Sequence, residues 1–247
     1  MYSALPVPQI SWTPRSMKYA LCWFPLVGAV CALLSLAGFR ICSLLQFPDF
    51  LRAALLTAIP VLVTGGIHLD GFLDAEDAIH SCTDRDKKLQ IMKDPHLGGF
   101  AVIYGMVFIL LFSGAAGAVT EETIPLYACG FVCSRILSAI SVVRFPKAKK
   151  DGMLRTFSDA AGRRVLAVLL VEFAGLSVLE ILLWGWSAVM VLAAGAAVFL
   201  YYRLFSVRVF GGTTGDLAGY FLCQCELWML VVLVVGQRVF REVLCWF

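Results

Sequence analysis

Apolar residues fall in blocks near residues 20–39, 52–67, 98–119, 124–143, 165–184, 186–202 and 217–236, and the polar residues are gathered between them. A helix needs about 20 mostly apolar residues to cross a bilayer. The pattern therefore predicts an all-α, polytopic integral membrane protein with about seven transmembrane helices, residues 1–247 forming one membrane domain. Trp184-Gly185-Trp186 separates two of the blocks, with the aromatic punctuation of a membrane interface. Pro6, Pro8, Trp12, Pro14, Arg15 and Lys18 precede the first block without the order of a cleaved signal peptide, so that block is read as a permanent span.

Composition sharpens this picture. Of the 247 residues 60% are apolar and 15% charged, with a mean hydropathy of +0.86, whereas globular domains carry about 25% charge. No soluble catalytic domain fits into what the spans leave. A net charge of +3, with no basic stretch interleaved with aromatics, argues against nucleic acid as a partner. The nine cysteines include no CxxC, and most fall in apolar runs, which suits small buried hydrophobes better than a disulfide framework. With the N-terminus in the cytoplasm, 15 of the 20 Lys and Arg fall on the cytoplasmic side and four on the other, while Arg135 lies inside a span. The same assignment puts residues 68–96, 144–164 and 208–216 on one face, so that cytoplasmic acidic and glycine-rich loops can share a site.

Seven of the 17 acids lie between positions 70 and 94. Asp70, Asp74 and Asp77 are spaced i, i+4, i+7, which lines three carboxylates along one stripe of a helix. Such crowding is relieved by a cation, and hard oxygen ligands suit Mg²⁺ shared with substrate phosphates; a solvated acidic face is the alternative. His68 adjoins the cluster, either as an interfacial hydrogen-bonding group or as a substrate ligand. Thr83-Asp84-Arg85-Asp86 reads as a helix N-cap with an acid at the third position, and Asp94, before Pro95, can return a further carboxylate. Gly211-Gly212-Thr213-Thr214-Gly215-Asp216 leads into the last span, as a phosphate cradle at a helix N-terminus or as a turn capped by Asp216. Arg135 needs an anion, either a phosphate or an acid such as Glu226 or Glu172.

In combination these residues resemble the cobalamin synthase family, the integral membrane adenosylcobinamide-GDP ribazoletransferases. The matching pieces are Leu5-Pro6-Val7-Pro8, Phe24-Pro25-Leu26-Val27-Gly28, Thr64-Gly65-Gly66, His68-Leu69-Asp70-Gly71 with Asp74 and Asp77, Ile91-Met92-Lys93-Asp94 with Gly98, Ser134-Arg135, Gly211-Gly212 with Thr214-Gly215-Asp216, and Glu226. Ala78, His80 and Cys223 depart from the family pattern. Cys223 stands where a glutamate is common and leaves Glu226 as the carboxylate of the last span. The resemblance implies attack by a hydroxyl of α-ribazole, or of its 5′-phosphate, on the corrinoid-side phosphate of adenosylcobinamide-GDP, with GMP leaving. It implies Asp70, Asp74 and Asp77 as Mg²⁺ ligands, one of them or Asp94 assisting deprotonation, and His68, Arg135, Gly211, Gly212, Thr214, Gly215, Asp216 and Glu226 as substrate-binding residues. It also implies a prokaryotic cytoplasmic membrane with the site facing the cytoplasm, in a chain free to form homo-oligomers. Two other readings are a CDP-alcohol phosphotransferase, whose Asp-x-x-Asp-Gly and Ala-Arg pattern is not matched here, and a cation transporter with the acidic stripe as its ion site, which should carry carboxylates at several mid-span positions, whereas Glu172, Glu180 and Glu226 alone qualify and form no ring or repeat.

Overall fold

The computed structural model describes residues 19–148 and 153–244, with side chains over 19–148 and 154–239. The proline-bearing start, including Leu5-Pro6-Val7-Pro8, and Lys149 and Lys150 lie outside the described residues. A 3₁₀ turn at Ala20–Trp23 leads into α1 (Phe24–Leu44), followed by α2 (Asp49–Thr64), α3 (Ile67–His80) and the short α4 (Arg85–Ile91). Then come α5 (Gly99–Gly117), α6 (Ile124–Arg144), α7 (Met153–Ala160), α8 (Arg163–Phe205), a π turn at Ser206–Phe210 and α9 (Gly215–Leu244). Among the described residues the β-type pairing consists of one parallel bridge between Lys147 and Thr213.

α6 is the axis of the bundle. In its most apolar stretch 83% of the residues are buried, against 17% in the most apolar stretch within Arg163–Phe210, so α6 touches protein nearly all round while α8 turns much of its surface outward. α1 crosses α6 at backbone contact because Gly28 has no side chain: a Cβ there would lie 2.4 Å from the Phe131 carbonyl oxygen. Removal of apolar surface from water contributes little between helices in lipid, so small residues that admit close packing drive association.

Two breaks shape the rest. α2 contains Pro60, which cannot donate to the Leu56 carbonyl one turn earlier. The Tyr127 hydroxyl of α6 donates to that carbonyl at 3.0 Å, so the proline vacancy becomes an interhelical bond. α2 then ends on two left-handed glycines, Gly65 (φ 65°) and Gly66 (φ 79°), whose N–H groups close onto Leu62 and Val61. α3 leaves at 94° to α2.

The second break is Gly185, at φ 53° and ψ −124°. Before it, Glu172 lies near Cys22 and Glu180 near Cys129 and Cys133. After it, Val191 lies beside Leu126 and Tyr127, and Phe199 and Tyr202 meet Phe145. The two halves of α8 therefore run in opposite directions along α6, folded at the Trp184-Gly185-Trp186 junction.

Among the described residues five helices are long and apolar enough to cross a membrane, six if the bent α2–α3 pair is one span. The stretch Arg163–Phe210 enters that number once, although non-helical Gly185 divides it into two antiparallel halves that match the blocks at 165–184 and 186–202. α3 is not itself a span, since its 14 residues include four acids. At α4 the N-cap is Asp84, accepting from the Lys87 N–H at 3.0 Å, one residue later than the sequence suggests.

Gly28→Ala is expected to lower the detergent melting temperature, at a cost of about 1–3 kcal/mol from overpacking. Gly114→Ala, where the added Cβ would meet nothing within 4 Å, should change it little. Equal shifts in thermal unfolding of the two variants would contradict the α1–α6 contact.

Candidate active site

The site begins where α3 and the start of α9 touch through their backbones. A Cβ on Gly71 would lie 2.8 Å from the Asp216 carbonyl oxygen, and one on Gly219 would lie 2.8 Å from the His68 carbonyl oxygen. The Cys223 thiol donates to the same His68 carbonyl at 3.5 Å. The cysteine that departs from the family pattern thus ties α9 to α3. This contact carries Asp216 into the field of the α3 acids: burial, then Asp70, Asp216 and Asp77, push the Asp74 carboxyl up to about 6.

The carboxylates are held differently. Asp70 is exposed and lines a cavity with Asp216 and Gly215. Asp77 serves the start of α5, where the N-cap position is Gly98 and offers no side chain. The Asp77 carboxylate instead accepts from the Ala101 N–H at 3.4 Å, and it occupies the space a Cβ on Gly98 would need. Asp94 is not brought to the group, because its carboxylate accepts from the His96 backbone N–H and bonds the His96 ring. Among the described residues no three His, Cys, Asp or Glu side chains converge in a ready-made metal cage. Mg²⁺ does not demand one, because it keeps waters and is commonly held by one or two carboxylates plus phosphate.

Across from these acids lies the glycine-rich turn. Gly211 (φ 74°) ends the π turn, and the Arg85 guanidinium fills the space its Cβ would take. At Gly212 a Cβ would lie 2.5 Å from the Lys147 backbone. That close approach allows the Thr213 N–H to reach the Pro146 carbonyl at 2.8 Å and the Ala148 N–H to reach the Thr213 carbonyl at 3.1 Å. Thr214, rather than Asp216, caps α9, accepting from the Leu217 N–H at 3.1 Å. Asp216 is thereby left to the carboxylate group. Lys147 is half-buried, donates to the Phe145 carbonyl at 2.6 Å, and is pushed down to about 8 by that burial, partly offset by Asp159. Arg85 is the residue that sequence reasoning missed. Its spacing marks only a helix start, and its position over Gly211 is a tertiary fact.

Deeper in the bundle Arg135 is 1% exposed and pairs with Glu226. Ser134 donates to Glu226 at 3.0 Å, and Arg135 also donates to the Phe131 carbonyl at 3.2 Å. Of the two partners open to Arg135 in the sequence, an acid or a phosphate, the structure supplies the acid. Above the pair lies buried His68, with the Phe24 ring edge-on at 5.9 Å. The acidic, basic and glycine segments predicted to share a face do converge here.

A family model described as cobalamin-5-phosphate synthase matches residues 1–234. The chain belongs to the cobalamin-5-phosphate synthase family. It is similar to an adenosylcobinamide-GDP ribazoletransferase of Lachnoclostridium phytofermentans, 42% identical over 97% of this chain and 92% of the relative. Another protein of that name, from Pseudomonas savastanoi pv. phaseolicola, is 34% identical over 90% of each chain, and one from Clostridium perfringens is 26% identical over 94% of each. No solved structure matches the chain. Membership of this synthase family makes the chain an enzyme and leaves the phospholipid and transporter readings without support. Within the family frame, the Arg135–Glu226 pair is the buried polar link between α6 and α9.

Breaking that pair from one side leaves a buried charge. Arg135→Met should therefore cost about 3–5 kcal/mol, while Arg135→Met combined with Glu226→Met should recover most of the loss. Thermal unfolding in detergent reads both. A double variant no more stable than the single one would contradict a pairing role.

Proposed function

We propose that this chain transfers the adenosylcobinamide-phosphate moiety of adenosylcobinamide-GDP to ribazole, or to its 5′-phosphate, releasing GMP. The reaction takes place at the cytoplasmic face of a prokaryotic cell membrane, where the positive-inside bias places the polar segments. The observation that carries the reading is the gathering of Asp70, Asp74, Asp77 and Asp216, where burial first and then the neighbouring carboxylates raise the proton affinity of Asp74. Carboxylates so placed suit a reaction in which charge on a diphosphate must be neutralised by a shared cation.

The donor set fits Mg²⁺, with Asp70, Asp74 and Asp77 offering oxygens and Asp216 adding to the negative field. The ion would supply charge neutralisation on the diphosphate oxygens. The remaining work falls to the chain. One carboxylate of the group accepts the proton of the attacking ribose hydroxyl as the new O–P bond forms and the bond to the GMP oxygen breaks. Arg85 faces the leaving phosphate, whereas the Gly211 and Gly212 N–H groups, expected as a phosphate cradle, already donate to the Val207 and Ser206 carbonyls at 3.0 Å; Thr214 fixes α9 so that Gly215 and Asp216 meet the reacting group. Asp77, fastened to the start of α5, holds α3 in register. The position of Asp94 beside His96 supports a role in shaping the 92–98 turn rather than in proton transfer.

Asp74→Asn in membranes should lower Mg²⁺-dependent GMP release by at least about 100-fold, the scale of losing a positioned carboxylate. GMP release at near the parental rate would remove the carboxylate group from the mechanism.

A second outcome follows from the sign of the Asp74 shift. The folded-state carboxyl titrates near 6, above its ordinary 3.8, so the folded chain binds more protons than the unfolded chain between those values. This group's contribution to stability therefore falls as pH rises through that window, and the repulsion is fully present above about 6. Mg²⁺ should raise the melting temperature more at pH ~8, where Asp74 is ionised, than at pH ~5, where Asp74 is largely protonated. An equal shift at both pH values would count against a carboxylate-bound cation.

A further inference from the structure

Between the first turn of α3, the start of α9, the end of α6 and the beginning of α1 lies a cavity of about 220 Å³. Its walls are largely apolar, formed by Leu21, Phe24, Ala139, Val142 and Leu222. Two neutral polar side chains line it, His68 and Ser138, while Asp70, Gly215 and Asp216 line the part shared with the carboxylate group. His68 is 9% exposed, and its Nδ1 has no hydrogen-bond partner. A buried, unpaired imidazole nitrogen loses solvation without return unless a ligand supplies a partner.

We propose that this cavity receives the fused-ring aromatic base of the ribazole acceptor, with His68 and Ser138 as its polar partners and Phe24 as its aromatic wall. The proposal rests on the transfer reading above. Size and polarity both select this part of the substrates. An apolar cavity of about 150 Å³ takes up benzene, so one of 220 Å³ has room for a bicyclic base. The guanosine diphosphate of the donor carries charges that these walls would leave unsolvated, whereas a neutral benzimidazole buries apolar surface and presents its one free ring nitrogen, the other carrying the ribose, as an acceptor to His68 or Ser138. The direction of entry also fits the chemistry. With the base against Ala139 and Val142, the attached ribose extends toward Asp70 and Asp216, where the attacking hydroxyl must lose its proton. The cavity thus sets both which acceptor binds and which end of it reaches the phosphate.

The test uses the full-length protein in liposomes, with KM measured separately for ribazole and for adenosylcobinamide-GDP. Ala139→Phe, which pushes a ring into the cavity, is expected to raise the KM for ribazole at least tenfold while leaving the KM for the donor and kcat within about twofold. Free benzimidazole, added to the unaltered protein, should inhibit competitively against ribazole and not against the donor, a readout that survives if the variant fails to fold. An unchanged ribazole KM in a folded Ala139→Phe protein, or benzimidazole competing with the donor instead, would overturn the assignment. If the unaltered protein releases no GMP with any acceptor, the transfer reading itself fails and this one falls with it. Normal transfer with an undisturbed ribazole KM sinks the cavity assignment alone.

Discussion

The site depends on a place where two helices meet without side chains. Gly71 on α3 and Gly219 on α9 let the backbones approach so closely that a Cβ at either position would overlap the other helix. The Cys223 thiol adds a bond across the same contact. Everything charged in the site follows from this: Asp216 enters the field of Asp70 and Asp74, the α9 N-terminus faces α3, and the cavity opens between them. A larger residue at either glycine would not remove any functional group, yet it would separate the groups that must act together.

Much of this was legible in the chain. The apolar blocks at 124–143 and 217–236 correspond to α6 and α9, and the i, i+4, i+7 spacing of Asp70, Asp74 and Asp77 is the spacing of one helix face. The Trp184-Gly185-Trp186 junction is where α8 folds back. What was not legible belongs to tertiary contact. Pro60 reads as a helix defect, and only the fold shows Tyr127 of α6 filling the vacancy. Gly98 reads as a turn residue, and only the fold shows the Asp77 carboxylate in the space it leaves. Arg135 announced that it needed an anion, but whether that anion was Glu226 or a phosphate was a question of distance, which sequence spacing does not encode.

The polar residues within the bundle divide into two kinds of work. Arg135, Glu226 and Ser134 satisfy one another, so they fix the register of α6 against α9 in a medium that offers no alternative partners. The α3 acids do the reverse. Asp70, Asp74 and Asp77 are kept near one another, and among the described residues none of the three takes part in an ion pair, whereas Glu76 faces His80 at 3.4 Å. α9 thus belongs to both, with Asp216 at the acidic group and Glu226 in the ion pair.

The order of the chain gives the α3–α9 contact one more consequence. α3 is synthesised long before α9, and until α9 is inserted Asp70, Asp74 and Asp77 have no Asp216 beside them. The nascent chain therefore carries its acidic helix as an ordinary solvated segment through most of membrane insertion. The strain of crowding Asp216 against the α3 acids arises only when the preceding helices are already in place to bear it, which makes assembly of the site a late event in biogenesis rather than an obstacle to it.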